Sequence, residues 1–205
     1  MEQSSIFSTL ISSMQAMPKI DWFVTITALI YVFLAAKENV WCWIFGIASC
    51  SAWAYSSYTN YNLYLDALLN VFYVIISFWG IYQWKVGNKN QDKLTITKMN
   101  QSLHLKIIVG GLILSILYGY LFDKYTTAEA TYLDALTTVF AVITTFLVIY
   151  KKLENWLYWI VINLLYVYIY ASREAYLFVI IMVIYVVIAI SGHLTWTNKW
   201  KRQTV

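Results

Sequence analysis

The sequence predicts an all-α polytopic membrane protein. The expected arrangement is seven transmembrane helices in a 3+1+3 parallel repeat, with the N-terminus outside and the C-terminus cytoplasmic. Three observations carry that expectation: the composition, the spacing of the apolar runs, and the sidedness of the basic residues. Of 205 residues, 61% are hydrophobic and 12% are charged. Soluble domains sit near 45–50% and about 25%. A soluble domain of this length has no interior large enough for so much apolar surface. Disorder is excluded by the abundance of aromatic and β-branched residues. No polar stretch is long enough for a separate soluble domain. The net charge of +4 comes from basic residues set between apolar runs, which points to lipid headgroups rather than to nucleic acid.

The elements follow in order. Residues 1–20 lack the basic n-region of a signal peptide, and Lys19 stands directly before the first long apolar run. Seven spans are expected at about 20–37, 40–58, 63–84, 104–122, 133–150, 156–171 and 175–196, each long enough for roughly 30 Å of hydrocarbon with its flanks. Their apolar runs are too continuous for the alternation of a membrane barrel. Short connections make successive helices antiparallel neighbours. The exception is 85–103, a polar stretch with four lysines. The chain therefore reads as a single membrane domain over 1–205: a first triple-helix bundle at 20–84, a cytoplasmic linker at 85–103, a linking helix at 104–122 and a second triple-helix bundle at 133–196. On one side of this layout lie Lys19, Lys124 and Arg173. The other eleven basic residues lie opposite, which by the positive-inside rule places the C-terminus in the cytoplasm.

An internal repeat supports the division. Tyr64, Leu65, Val71, Tyr73, Val74, Gly80 and Trp84 recur 112 residues later as Tyr176, Leu177, Val183, Tyr185, Val186, Gly192 and Trp196. Glu38-Asn39 and Trp43-Ile44 recur at an offset of 116 as Glu154-Asn155 and Trp159-Ile160, and Asp21 has a counterpart in Asp134. Repeats of this kind are known from transporters whose substrate site lies near the bilayer midplane between two bundles.

The candidate substrate-binding residues are Trp43, Asp66, Asn70, Tyr73, Trp159, Asn163 and Tyr185. An amide inside a span needs a hydrogen-bonding partner, which a substrate or a neighbouring helix can supply. Asp66 stands one turn before Asn70 on the same helix face. Tyr73 and Tyr185 sit deep in their spans at equivalent positions, and Trp43 and Trp159 lie a few residues into theirs. Together they provide aromatic faces for a flat, cationic ring, although plain interhelical packing is the simpler role for any one of them. Trp22, Trp84, Trp156, Trp196 and Trp200 are assigned to interfacial belts. Glu38 and Glu154 are assigned to caps or short-range pairs beside Lys37 and Lys152, and His104 and His193 to solvated interfaces. Cys42 and Cys50 have no metal or disulfide spacing. There is no nucleotide motif or paired catalytic group, and no enzyme activity, cofactor or metal is expected. A retinal-type seven-helix protein, the rival from another class, would need a Schiff-base lysine in the last span, and 175–196 has none.

The stretch Lys152-Leu-Glu-Asn-Trp-Leu-Tyr-Trp-Ile-Val-Ile-Asn163 resembles the signature of the PnuC family of vitamin transporters. Leu63-Tyr-x-Asp-Ala-Leu-Leu-Asn70, Gly80-Ile-Tyr-Gln-Trp84 and the closing Tyr185, Gly192 and Trp196 fit the same family. The resemblance runs from about Asp21 to Trp196. It implies a full-length relationship to the SWEET sugar transporters and facilitated diffusion of nicotinamide riboside across the cell inner membrane, with trapping by cytoplasmic phosphorylation. It further implies a homo-oligomer, with trimers known in the family. Relatives carrying thiamine or riboflavin are the alternatives, and some members have glutamine where this chain has Asn70.

Overall fold

Long apolar runs in hydrocarbon must satisfy their backbone groups internally, and helices do so. The computed structural model describes residues 6–87, 94–125 and 132–203. Among these residues the chain forms α1 (Ile6–Ala16), α2 (Lys19–Ala36), α3 (Cys42–Thr59), α4 (Tyr64–Val86), α5 (Gln101–Tyr125), α6 (Tyr132–Ile149), α7 (Asn155–Ser172) and α8 (Tyr176–Gln203).

This corrects the expectation of seven transmembrane helices. Among the described residues there are eight helices, and five of them (α2, α4, α5, α6 and α8) are long and apolar enough to cross a membrane. The additional helix, α1, has 11 residues, about 16 Å at 1.5 Å per residue. The other two, α3 and α7, are not among the five. Helix α3 is rich in Ser, Tyr and Trp and α7 in Asn, Tyr and Trp, residues whose polar atoms offset their apolar bulk. An odd span count therefore no longer supports opposite sides for the two termini. The two ends of the molecule differ in chemistry: an aspartate end with Asp21, Asp66 and Asp134 in the first turns of α2, α4 and α6, and a lysine end where those helices finish.

Helix neighbours close a ring in the order α2, α3, α4, α6, α7, α8 and back to α2. Helix α5 packs on α6 from outside the ring, and α1 packs on α8. The halves of the ring repeat. Helix α2 spans 19–36 and α6 spans 132–149, while α3 spans 42–59 and α7 spans 155–172, both pairs shifted by 113. Helices α4 and α8 begin at 64 and 176, shifted by 112. The structural register of the second pair is thus 113 and not 116. Trp43 corresponds to Trp156, Gly46 to Trp159 and Cys50 to Asn163.

The turns explain this register. Helices α2 and α6 both end in a turn with one residue in the left-handed region, Glu38 at φ 60° and Lys151 at φ 48°. Asn39 N–H returns to Leu34 C=O at 2.9 Å, and Lys152 N–H returns to Leu147 C=O at 2.8 Å. Backbone geometry, and not side-chain identity, keeps the copies aligned.

The core sits between the two halves at the lysine end. Trp43 lies edge-on to Trp84 with ring centroids 5.5 Å apart and planes at 85°, and Trp156 meets Trp196 with the same two values. Each first tryptophan covers a glycine. A Cβ on Gly80 would come within 2.5 Å of the Trp43 indole, and one on Gly192 within 2.8 Å of Trp156. Each last tryptophan bonds the opposite half. Trp84 Nε1–H donates to Val148 C=O at 3.3 Å and Ile149 C=O at 3.2 Å, and Trp196 Nε1–H donates to Ala35 C=O at 3.2 Å. Burial of Trp84, Trp156 and Trp196 removes all three from the interfacial belts expected for them.

Residues 94–100 of the linker run beneath the second turn at the lysine end, and residues 88–93 lie outside the described residues. Thr97 N–H donates to Lys151 C=O at 3.1 Å, and Leu153 N–H donates to Thr97 C=O at 2.9 Å. Glu154 takes Met99 N–H at 3.0 Å, so it anchors the linker and is not a partner of Lys152.

Candidate substrate cavity

Helix α7 builds the site. Trp156, Trp159 and Asn163 follow at i, i+3 and i+7, which sets them on one helix face. They open onto a cavity of about 340 Å³ that is completed by Tyr31 of α2, Tyr166 and Tyr170 of α7, and Tyr185 of α8, with Val32, Ala35, Val148, Met182 and Ala189 filling the wall. Its lining contains no charged side chain. Its size is in the range of sites for small organic ligands. Asn163 is 6% exposed, and its amide makes no hydrogen bond among the described residues. Tyr31 reaches in from the first half of the ring, with its ring 6.0 Å from Trp43. The wall thus draws on both halves.

A second cavity of about 510 Å³ adjoins the first, sharing Tyr170, Met182 and Tyr185 and extending to Asp21, Trp53, Tyr61 and Asn70 at the aspartate end. The two carboxylates here are held by neutral donors. Asp21 accepts from Ser56 Oγ at 2.8 Å and from the Tyr61 hydroxyl. Asp66 accepts from Trp53 Nε1 at 2.6 Å and Ser57 Oγ at 2.8 Å. The Tyr61 phenol, in the turn between α3 and α4, is pushed up to about 12, chiefly because its proton is shared with the Asp21 carboxylate. Asn70 donates to the Asp66 backbone C=O at 2.9 Å, which fixes its amide along its own helix while it faces the cavity.

Of the seven residues singled out in the sequence, Trp159, Asn163 and Tyr185 share the inner cavity. Asn70 and Tyr185 share the outer one, and Asp66 braces Trp53 in the outer wall. Trp43 and Tyr73 line neither cavity. Trp43 is 1% exposed, wedged between Tyr31, Gly80 and Trp84, and Tyr73 packs against the tryptophan core. Sequence reasoning missed Tyr31, Trp53, Trp156, Tyr166 and Tyr170. The i, i+3, i+7 spacing was signal enough to include Trp156, whereas Tyr31 carries no local mark of a site. His104 is also not simply solvated. Its Nδ1 lies 3.0 Å from the Tyr158 hydroxyl and its ring stacks on Tyr158. These two residues help line a separate apolar groove of about 400 Å³ between α5, α6 and α7, outside the ring.

Comparison with known proteins agrees with this architecture. The family described as nicotinamide mononucleotide transporter matches residues 19–198. The nicotinamide riboside transporter PnuC of Neisseria mucosa is 26% identical over 191 residues, covering 87% of this chain and 72% of the relative. That of Haemophilus influenzae is 26% identical over 183 residues, covering 86% and 78%. The crystal structure of the vitamin B3 transporter PnuC superposes with a TM-score of 0.74 at 22% identity, over 96% of this chain and 89% of that one, a likeness of fold. The protein is a multi-pass protein of the inner membrane with a small-molecule substrate. The chain belongs to the nicotinamide mononucleotide transporter family, that of the PnuC vitamin transporters.

Proposed function

We propose that this protein carries nicotinamide riboside across the inner membrane by facilitated diffusion, as a transporter and not as an enzyme. The observation that carries this reading is the inner cavity, an aromatic chamber with one free amide and no charged side chain. A pyridinium ring gains from aromatic faces by stacking and cation–π attraction, and Trp159, Tyr31 and Tyr185 present such faces. Asn163 bonds the carboxamide or a ribose hydroxyl. Asn70 and the Asp66-braced Trp53 wall form the approach from the aspartate end, while Trp43 and Tyr73 support the chamber from behind.

The family description names the mononucleotide, whereas the relatives are named for the riboside. The cavity favours the riboside. A phosphate moved from water into this lining would lose hydration with no Lys or Arg to pair with it. Cytoplasmic phosphorylation then traps the imported vitamin. The linker at 85–103 lies on the cytoplasmic face, between bundles at 20–84 and 133–196. The assembly in the membrane is a homo-oligomer, a trimer by family resemblance, and sedimentation of the solubilised protein tests that.

Calorimetric titration with nicotinamide riboside, its mononucleotide, thiamine and riboflavin tests the reading. Binding of the riboside at least about tenfold tighter than the mononucleotide is expected. Equal or tighter binding of the mononucleotide, thiamine or riboflavin overturns it. In liposomes, riboside uptake should need neither ATP nor an ion gradient, and strict dependence on either would contradict facilitated diffusion.

A further inference from the structure

We infer that Glu38, Lys151 and Lys199 form a clamp that holds the two halves of the ring together at the lysine end, and that opening this end requires the clamp to break. Glu38 stands in the turn after α2, Lys151 in the equivalent turn after α6, and Lys199 on α8. Lys151 Nζ lies 2.6 Å from Glu38 Oε1, and Lys199 Nζ lies 3.0 Å from Glu38 Oε2. Glu38 is therefore bonded across the molecule and not to its neighbour Lys37. Both side chains of the shorter pair are largely shielded, 8% exposed for Lys151 and 15% for Glu38.

The surroundings tie the pair to every part that would have to separate. Lys151 Nζ also donates to Leu94 C=O of the linker at 2.9 Å and lies 4.8 Å from the centre of the Trp84 ring. Lys199 Nζ donates to Lys37 C=O at 3.0 Å. The aspartate end has no such clamp among the described residues. Its ion pair, Arg173 with Asp134 at 2.9 Å, joins α7's end to α6, within one half. Asp21 and Asp66 bond only groups of the first half. Among the described residues, charge thus links the halves at the lysine end, while the aspartate end holds the outer cavity.

A shielded ion pair that loses one partner leaves an uncompensated charge in a poorly hydrated place, so it holds two bodies in one arrangement and is costly to part. The left-handed turns give the clamp its reach, because they aim Glu38 and Lys151 at each other from equivalent positions.

Amide hydrogen exchange on the full chain in lipid nanodiscs tests this, without substrate, in wild type, Glu38→Gln, Lys151→Met and the double variant. The clamp predicts exchange about tenfold faster at residues 37–39, 97 and 150–153 in each single variant, no further gain in the double variant, and helix centres unchanged. Rates within about twofold of wild type, additive effects, or acceleration spread through the helix centres would overturn it. A second arm rests on the transport reading above. In liposomes, the maximal riboside flux of the single variants should rise at least about threefold while calorimetric affinity stays within about twofold. Loss of affinity together with flux would assign these residues to the scaffold alone and overturn the clamp. Wild-type protein that moves no riboside, with the exchange pattern as predicted, would sink the transport reading and leave the clamp standing.

Discussion

The two halves of the ring share a scaffold and differ in what fills it. In both, a tryptophan early in the middle helix covers a glycine in the last helix and meets a second tryptophan at a right angle. Both of these early indoles bury an Nε1–H with no partner among the described residues. Beyond that point the halves diverge. Where α7 places Trp159 and Asn163, α3 has Gly46 and Cys50. The space above Gly46 is taken by Tyr31, whose ring stands 3.1 Å from the position of a Cβ. Tyr31 closes the first half and at the same time lines the cavity of the second. A duplicated scaffold therefore yields one aromatic chamber, made by losing the symmetry at two positions of the middle helix.

The largest effects should fall on that asymmetry. Trp159→Ala removes an aromatic wall and is expected to weaken riboside binding by about 2 kcal/mol or more. Cys50→Ala, at the first-half position equivalent to Asn163, should change affinity by less than about twofold, with calorimetry as the check. Equal losses would mean that both halves bind. The shared scaffold gives the next test. Gly80→Val and Gly192→Val should each destabilise the protein by about 1–3 kcal/mol, since each forces a side chain into an indole with no room to move. Thermal unfolding in one detergent should show both falling by similar amounts. A drop confined to one variant would break the structural equivalence of the halves.

A smaller effect belongs to the aspartate end, where the first half has Asp21 and Tyr61. The shared hydrogen bond with Asp21, with burial second, raises the folded phenol to about 12 from 10.0. A raised value means that the protonated phenol is favoured in the folded state. Its contribution is therefore whole below about 10 and is lost as pH climbs through about 12. The ultraviolet difference spectrum between wild type and Tyr61→Phe should show this one tyrosine ionising late, and Asp21→Asn should return it toward its ordinary value. Ionisation unaffected by Asp21→Asn would detach the pair.

Much of the class was legible in the composition, because helices are the simple solution for chains so apolar. The helix count was not. Trp and Tyr count as apolar in a composition but carry polar atoms, and α3 and α7 are rich in both. The helix with the densest site chemistry, α7, is thus among those that fall short as a span. The repeat was legible in α4 and α8, where tyrosine, glycine and tryptophan recur. It was misaligned in α3 and α7, where matching words at 116 competed with a backbone register of 113. That register rests on the turns at Glu38 and Lys151, residues of opposite charge that no identity search would pair. The same separation hid their contact. Trp159 and Asn163 could be read from helical spacing, whereas Tyr31 could not, because its place in the cavity depends on which helix closes the ring beside it. Three tryptophans assigned to belts went wrong for a related reason, since Trp156 is buried over Gly192 while Trp84 and Trp196 reach carbonyls of the opposite half, all partners more than thirty residues away.

The central claim is that the aromatic chamber of the second half is the binding site. Calorimetric titration of nicotinamide riboside into Asn163→Cys, which gives the second half the residue that the first half carries, tests it most directly, with Cys50→Ala as the control in the other half. The account predicts at least about tenfold weaker binding for Asn163→Cys and an unchanged value for Cys50→Ala, with both proteins folded. Unchanged affinity in Asn163→Cys, or an equal loss in Cys50→Ala, would contradict it.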